Sequence, residues 1–299
     1  MRIAIAGSSG LIGSALVDSL TGAGHQVVRL VRRPTTAADQ IHWEPDSFGI
    51  DPATLAGVDA VVNLCGRGIA DRRWSGHVKQ QLRDSRIIPT QVLAEAVRIA
   101  GVPIFVSSSA TGYYGDTGAR AVTEDDPAGT GFLAELTTDW EAAALSARSA
   151  GASTRVTLVR TAPVMSPSGG MLGKLRRLFG LGLGGRLGGG EQYLPWISLV
   201  DTVRVLEFLL TRPIAGPVNM CAPRSVTNAE FTKALGHALR RPTPFAVPAF
   251  VLSKTAGEMA EEMLLHGQNV VPEVLTDNGF EFRHPTIDSA LDYAVGKGA

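Results

Sequence analysis

Apolar positions in the first half of the chain gather into short continuous runs, and each run stops at glycine or at a polar break. Ile3-Ala4-Ile5-Ala6 ends at Gly7, Gln26 to Val31 ends at two arginines, Ala60 to Cys65 ends at Gly66, and Ile104 to Ser108 runs on into serine. Runs of this length and character predict strands buried on both faces of a parallel sheet. Between the runs the apolar period lengthens to that of a helix. Leu11, Ile12, Ala15, Leu16 and Leu20 share one face of a segment that Gly22 and Gly24 close. The same reasoning predicts helices over Thr90 to Ala100 and Leu133 to Ala150, a strand over Thr154 to Val159, a helix over Leu199 to Leu210 and a short strand over Pro217 to Met220. Strands alternating with helices predict an α/β fold, a doubly wound parallel sheet with right-handed crossovers.

The pattern changes twice. From Ser166 to Gly190 it breaks down, with ten glycines between Gly169 and Gly190 and with Arg176, Arg177 and Arg186 among them. Such a stretch is either a plain surface excursion or backbone that closes on a ligand. From about Thr227 onward the chain reads as helical and proline-punctuated, a smaller and mostly helical C-terminal lobe. Residues 1–165 with 196–222 are thus expected to form a nucleotide-binding domain. Residues 166–195 with 223–299 are expected to form a substrate-binding lobe.

The chemistry starts at Gly7-Ser8-Ser9-Gly10-Leu11-Ile12-Gly13, which lies between the first strand and the first helix. Gly7 permits the sharp turn, Gly10 lets a diphosphate approach the backbone, and Gly13 lets the helix pack closely on the sheet. The free N–H groups and positive dipole end of the helix then face the phosphates. The position of this loop, at the first strand-to-helix turn, marks a Rossmann-type dinucleotide site. After the second strand the chain reads Leu30-Val31-Arg32-Arg33-Pro34, without the acid that holds a ribose 2′-hydroxyl in an NAD site. A guanidinium grips a 2′-phosphate with paired hydrogen bonds, so the expected cofactor is NADP(H), with Arg32 as first choice and Arg33 as second. Asn63-Leu64-Cys65-Gly66 ends the strand expected beside the adenosine ribose. Arg86 lies farther on and reads either as a cofactor contact or as a solvated helix residue.

Composition removes several alternatives. Lys+Arg and Asp+Glu balance at 28 each among 299 residues, so no global field favours nucleic acid or an anionic membrane. No apolar run reaches the roughly 18 residues that a membrane span needs. Met1 and Arg2 lead straight into a strand-like run, with no room for a signal peptide. Cys65 and Cys221 stand alone in sequence and read as reduced thiols of a cytoplasmic protein. The six histidines show no metal-ligand spacing, and no metal is expected.

The glycine loop, Asn63 to Gly66, Ser107-Ser108-Ser109-Ala110-Thr111-Gly112-Tyr113-Tyr114-Gly115 and Pro195-Trp196-Ile197-Ser198-Leu199-Val200-Asp201 together resemble the extended short-chain dehydrogenase/reductases, which include the sugar-nucleotide epimerases. Tyr113-Tyr114, Asp139-Trp140-Glu141-Ala142-Ala143, Gly182-Leu183-Gly184-Gly185 and Thr227-Asn228-Ala229-Glu230-Phe231 are similar to an atypical branch of that group, the epimerase family proteins. The resemblance spans nearly the whole chain. It implies an NADP-binding domain with a small lobe closing a cleft over the nicotinamide. It also implies that Val31, Arg32, Leu64, Cys65, Arg86 and Val164 line the cofactor.

The same resemblance exposes a departure. The parent superfamily uses a Ser or Thr with a Tyr and, four residues later, a Lys. Ser109 matches the serine, but Leu133 and Thr137 stand where the Tyr and Lys belong. Tyr113 and Tyr114 are the available substitutes. A protonated tyrosine serves as general acid in a reduction. The expected chemistry is therefore NADPH-dependent reduction of a small-molecule carbonyl, with Ser109 orienting the carbonyl and Tyr113 supplying the proton. The alternative is a catalytically silent protein that senses NADP(H). A homodimer is expected only by analogy with the fold.

Overall fold

The computed structural model describes residues 1–148 and 153–296. Strand β1 (Arg2–Ala6), helix α1 (Leu11–Gly22) and strand β2 (Gln26–Val31) follow the predicted periods almost residue for residue. Strands β3 (Gln40–His42) and β4 (Ala60–Asn63) come next, then helix α2 (Gly76–Ala100) and strand β5 (Ile104–Ala110). After a short strand β6 (Ala121–Val122), helix α3 (Phe132–Leu145) leads to strand β7 (Arg155–Thr161). The expected continuation of α3 to Ala150 is not met at Ser146, and its last two positions lie outside the described residues.

Helix α2 starts fourteen residues before the predicted Thr90. Pro89, a residue that lacks a donor and crowds the preceding turn, lies buried inside the helix. The true start is set by Ser75, whose hydroxyl accepts from the Val78 amide at 3.3 Å, and the end by Gly101 at φ 65°. The glycine-rich stretch also differs from expectation. Beyond strand β8 (Val164–Met165) it forms helix α4 (Gly170–Gly180), then strand β9 (Gly185–Leu187). Leu172 and Phe179 are buried with Trp196 and Phe231, and this packing outweighs the weak helix propensity of glycine.

Strands β10 (Tyr193–Leu194) and β11 (Ile197–Ser198) return the chain to helix α5 (Leu199–Thr211) and strand β12 (Gly216–Met220). The central sheet has seven parallel strands in the order β12-β7-β5-β4-β1-β2-β3. Side chains alternate across it. Ile3, Ile5, Val62 and Val106 pack against Leu16 and Leu20 of α1 and Val205, Leu206 and Leu209 of α5. Ala4, Ala6, Val61 and Phe105 face Leu93 and Val97 of α2 and Ala144 of α3. Each fully buried Leu, Ile or Phe in these layers contributes roughly 1.5–3 kcal/mol.

The chain continues beyond β12, and Leu275 of its later part joins the core beside Val218 of the central sheet. Strand β13 (Val226–Thr227) precedes helix α6 (Asn228–Leu239), which opens with a reciprocal cap between Thr227 and Glu230. Strand β14 (Phe245–Val247) pairs in parallel with β9, and helices α7 (Ala249–Ala256) and α8 (Glu258–Ala260) run into a π-helical turn at Glu261–Leu265. Strand β15 (Asn269–Val270) pairs with β6, and helices α9 (Glu273–Asp277) and α10 (Ile287–Ala294) complete the chain. No helix among the described residues is long and apolar enough to cross a membrane.

Candidate functional site

The C-terminal ends of β1, β2 and β4 lie side by side, with Ala6 opposite Leu30 on one flank and Asn63 on the other. The glycine loop leaves β1 at this edge. Gly7 has φ 76°, and a Cβ there would sit 2.6 Å from the Leu64 carbonyl oxygen. A Cβ at Gly13 would lie 2.2 Å from the Gly7 carbonyl oxygen. Only glycine lets α1 seat this close to the loop. Gly10 caps α1 without a side-chain bond, and the first intrahelical bond runs from the Ser14 amide to the Gly10 carbonyl. The amides of Leu11, Ile12 and Gly13 precede that bond, and no side chain caps them. Ser9 and Gly10 are exposed while Leu11 and Ile12 are half-buried, so the head of α1 stays open. This is a cradle for an anion.

Val31 is half-buried at the end of β2, and Arg32 and Arg33 beyond it are exposed. Arg33 donates to the Thr36 hydroxyl at 3.1 Å. Arg32 lies close enough to Cys65 for its charge to act on that thiol. Burial nevertheless pushes the thiol up to about 12, so Cys65 is an inert wall residue rather than a nucleophile. Leu64 and Cys65 are turned out of β4 by Asn63. That side chain accepts from the Cys65 amide at 3.1 Å and donates to Thr90 and Ser107 at 2.8 and 3.2 Å. Gly66 follows, and the Arg86 guanidinium carbon is 3.5 Å from where its Cβ would be.

Arg86 is not a solvated helix residue. It is 9% exposed and donates to the carbonyls of Arg67 and Leu82 at 2.9 and 3.2 Å. It also lies over the Trp140 ring at 5.3 Å. No carboxylate pairs with it among the described residues, and burial lowers its pKa to about 10. A buried cation without a counter-charge, beside the open edge of the sheet, suits an anionic ligand. On the far side, a Cβ at Gly170 would lie 3.4 Å from the Leu11 side chain and 3.7 Å from the Val164 carbonyl. The head of α4 thus brings Leu11 and Val164 together at one wall.

The expected catalytic trio is divided by the structure. Ser109 is 2% exposed and donates its hydroxyl proton to the Glu141 carboxylate at 2.6 Å. A serine has one proton to donate, so it has none left for a substrate carbonyl. Tyr114 is 3% exposed, donates to the Asn219 side chain at 2.7 Å and accepts from Arg160 at 2.8 Å. Burial drives its pKa upward, against the pull of Arg160. Ser109 and Tyr114 are therefore withdrawn from direct proton transfer. Tyr113 remains. It is half-buried, its hydroxyl has no hydrogen-bond partner among the described residues, and the Arg160 guanidinium lies 3.5 Å from its ring centre.

Arg160 and Glu141 organise this region, a pairing between separate elements that no local sequence pattern marks. They are 4% and 8% exposed, and their two-point contact spans 2.8 and 3.0 Å. Burial alone would lower the pKa of Arg160, but Glu141 and Tyr114 outweigh it and hold the guanidinium charged. Glu124 is also buried. It accepts from the amides of Asn219 and Val274 at 2.8 and 3.3 Å. Glu262 of the π-helical turn accepts from the amides of Phe132 and Leu133 at the head of α3, 2.8 Å each. Leu133 and Thr137 occupy the α3 face that meets Gly112, and α3 contains neither tyrosine nor lysine.

Comparison with known proteins agrees with this geometry. Residues 3–221 match the model of the NAD dependent epimerase/dehydratase family, and residues 247–294 match a domain of unknown function, DUF1731. An epimerase family protein of Mycobacterium tuberculosis is 55% identical over 294 residues, which cover 98% of this chain and 97% of that protein. The crystal structure of the human epimerase family protein SDR39U1, described with NADPH, superposes with a TM-score of 0.90 at 34% identity and covers 99% of each chain. A nucleoside-diphosphate sugar epimerase from Corynebacterium glutamicum gives 0.82 at 33% identity, over 99% of this chain and 58% of that one. By the extent of these matches and the architecture they share, the chain belongs to the NAD dependent epimerase/dehydratase family.

Proposed function

We propose that this protein binds NADP(H) across the C-terminal edge of its sheet and reduces a carbonyl group of a small molecule. The observation that carries the reading is the open head of α1, packed so closely on β1 that Gly7 and Gly13 admit no side chain. Arg32 and Arg33, at the end of β2 with no acid beside them in sequence, suit the 2′-phosphate. Arg86 supplies buried positive charge next to Gly66. The human relative was crystallised with NADPH, which accords with this preference.

A bound reduced dinucleotide supplies the hydride, and the chain must supply orientation and a proton. Tyr113 is the remaining candidate donor. Its phenol is the one group of the expected trio with a proton not committed to a neighbour. The Arg160 cation stacked on its ring stabilises the negative charge that develops as the proton leaves. Ser109 acts indirectly, holding Glu141 and through it Arg160. A second reading, an NADP(H) sensor without turnover, is favoured by the commitment of Ser109 and Tyr114 and by Leu133 and Thr137 on α3.

The test is NADPH consumption followed by absorbance with a panel of aldehydes and ketones. Turnover that falls at least tenfold in Tyr113→Phe, with NADPH affinity unchanged, supports the reductase. NADPH binding with no turnover on any carbonyl supports the sensor.

A further inference from the structure

Between β9, β14 and α6 the lobe carries a hollow of ≈ 370 Å³, within the size range of small-ligand sites. It is lined by Arg186 of β9, by Thr232 and Lys233 of α6, and by Thr243 just before β14. Pro244 and Phe245 form an apolar side. No carboxylate lines it. Among the described residues neither Arg186 nor Lys233 makes an ion pair or a side-chain hydrogen bond.

Thr232 sharpens the picture. It is 4% exposed, yet its hydroxyl has no hydrogen-bond partner among the described residues. A helical threonine ordinarily bonds the carbonyl one turn back. Thr137 and Thr202 do so, at 2.7 and 2.8 Å. The Thr232 hydroxyl is left facing the hollow, and Thr243 contributes a second unbonded hydroxyl. Two exposed cations and two hydroxyls thus border one space that no acid lines. Among the described residues none of these groups is spent on a bond within the chain, so all are available to an acceptor-rich anion.

We infer that this hollow is a second anion site, separate from the dinucleotide seat, that binds the phosphate monoester of a small organic molecule. A phosphate monoester brings three acceptor oxygens and close to two negative charges at neutral pH, matching the two cations. Its carbon body lies against Pro244 and Phe245, the latter 53% exposed in the free chain.

The test is calorimetric titration of the full chain with phenyl phosphate and, separately, inorganic phosphate, at low salt and with NADPH saturating. One saturable site for phenyl phosphate is expected, with inorganic phosphate weaker. Arg186→Ser and Lys233→Ser each weaken phenyl phosphate at least tenfold and leave NADPH affinity unchanged. Thr232→Val keeps the side-chain shape without the hydroxyl and weakens it similarly. Absence of saturable binding, or affinity unchanged in all three variants, overturns the site. Loss of binding in Arg32→Ser instead assigns the anion to the dinucleotide seat and overturns it too. Equal affinity for both probes overturns the monoester assignment. Because the readout is ligand binding at α6, it stands or falls independently of carbonyl reduction.

Discussion

Tyr114 and Glu124 show how a residue's neighbours decide its task. Tyr114 has the phenol that a general acid needs, but its hydroxyl joins Asn219 on β12 to Arg160 on β7. Replacing Tyr114 with Phe leaves a buried guanidinium and a buried amide each one partner short, at a cost of about 1–3 kcal/mol. Urea unfolding should register that loss, while NADPH affinity should not move. Glu124 has one carboxylate oxygen buried without a partner, and burial raises its pKa above that of an ordinary glutamate. A folded-state pKa above the unfolded 4.5 means that folding favours the protonated acid. Its stabilising contribution is full below 4.5 and is lost as pH rises through the folded value. Lowering the pH from 7 to 5 should therefore stabilise the wild type relative to Glu124→Gln, as read by thermal unfolding at each pH. These roles were not legible in sequence. Glu141 and Arg160 lie on different elements, and Tyr114 meets Asn219 across 105 positions. Only the folded sheet brings them together. Gly7 and Gly13 were legible because their requirement is set by the local backbone within one turn.

At the level of elements, local period was a reliable guide where one face was buried and a cap marked the end. β1, α1 and β2 illustrate this. It failed where packing overrode propensity. Pro89 lies buried within α2, and α4 forms through Leu172 and Phe179 although glycine dominates its surroundings. The head of α3 is another case, because its cap comes from 130 residues away. The Glu262 carboxylate binds two amides there from within the π-helical turn, and Lys79 of α2 pairs with Glu258 just before it. These contacts tie the lobe to the central domain at the end of α3 that meets Gly112. Glu262→Ala should remove a charge-assisted cap worth about 0.5–2 kcal/mol. Hydrogen exchange at the Phe132 and Leu133 amides should accelerate accordingly, while the amides of β1 and β4 keep their protection.

Across the whole molecule the sheet gathers three strand ends at one edge, and the head of α4 lies against Leu11 beside them. Arg32 reaches the neighbourhood of Cys65, Arg86 sits behind Gly66, and Gly170 at the head of α4 lies near both Leu11 and Val164. Each of these belongs to a different element, and in the function proposed above they together hold a long, multiply charged nucleotide along the edge. The doubly wound order made that edge predictable from sequence, and the strand pairing places it there. The most direct test is a pair of calorimetric titrations of the full chain with NADPH and with NADH. The account predicts NADPH tighter by at least tenfold, with the preference abolished in Arg32→Ser. Equal affinities, tighter NADH, or no binding of either nucleotide would contradict it.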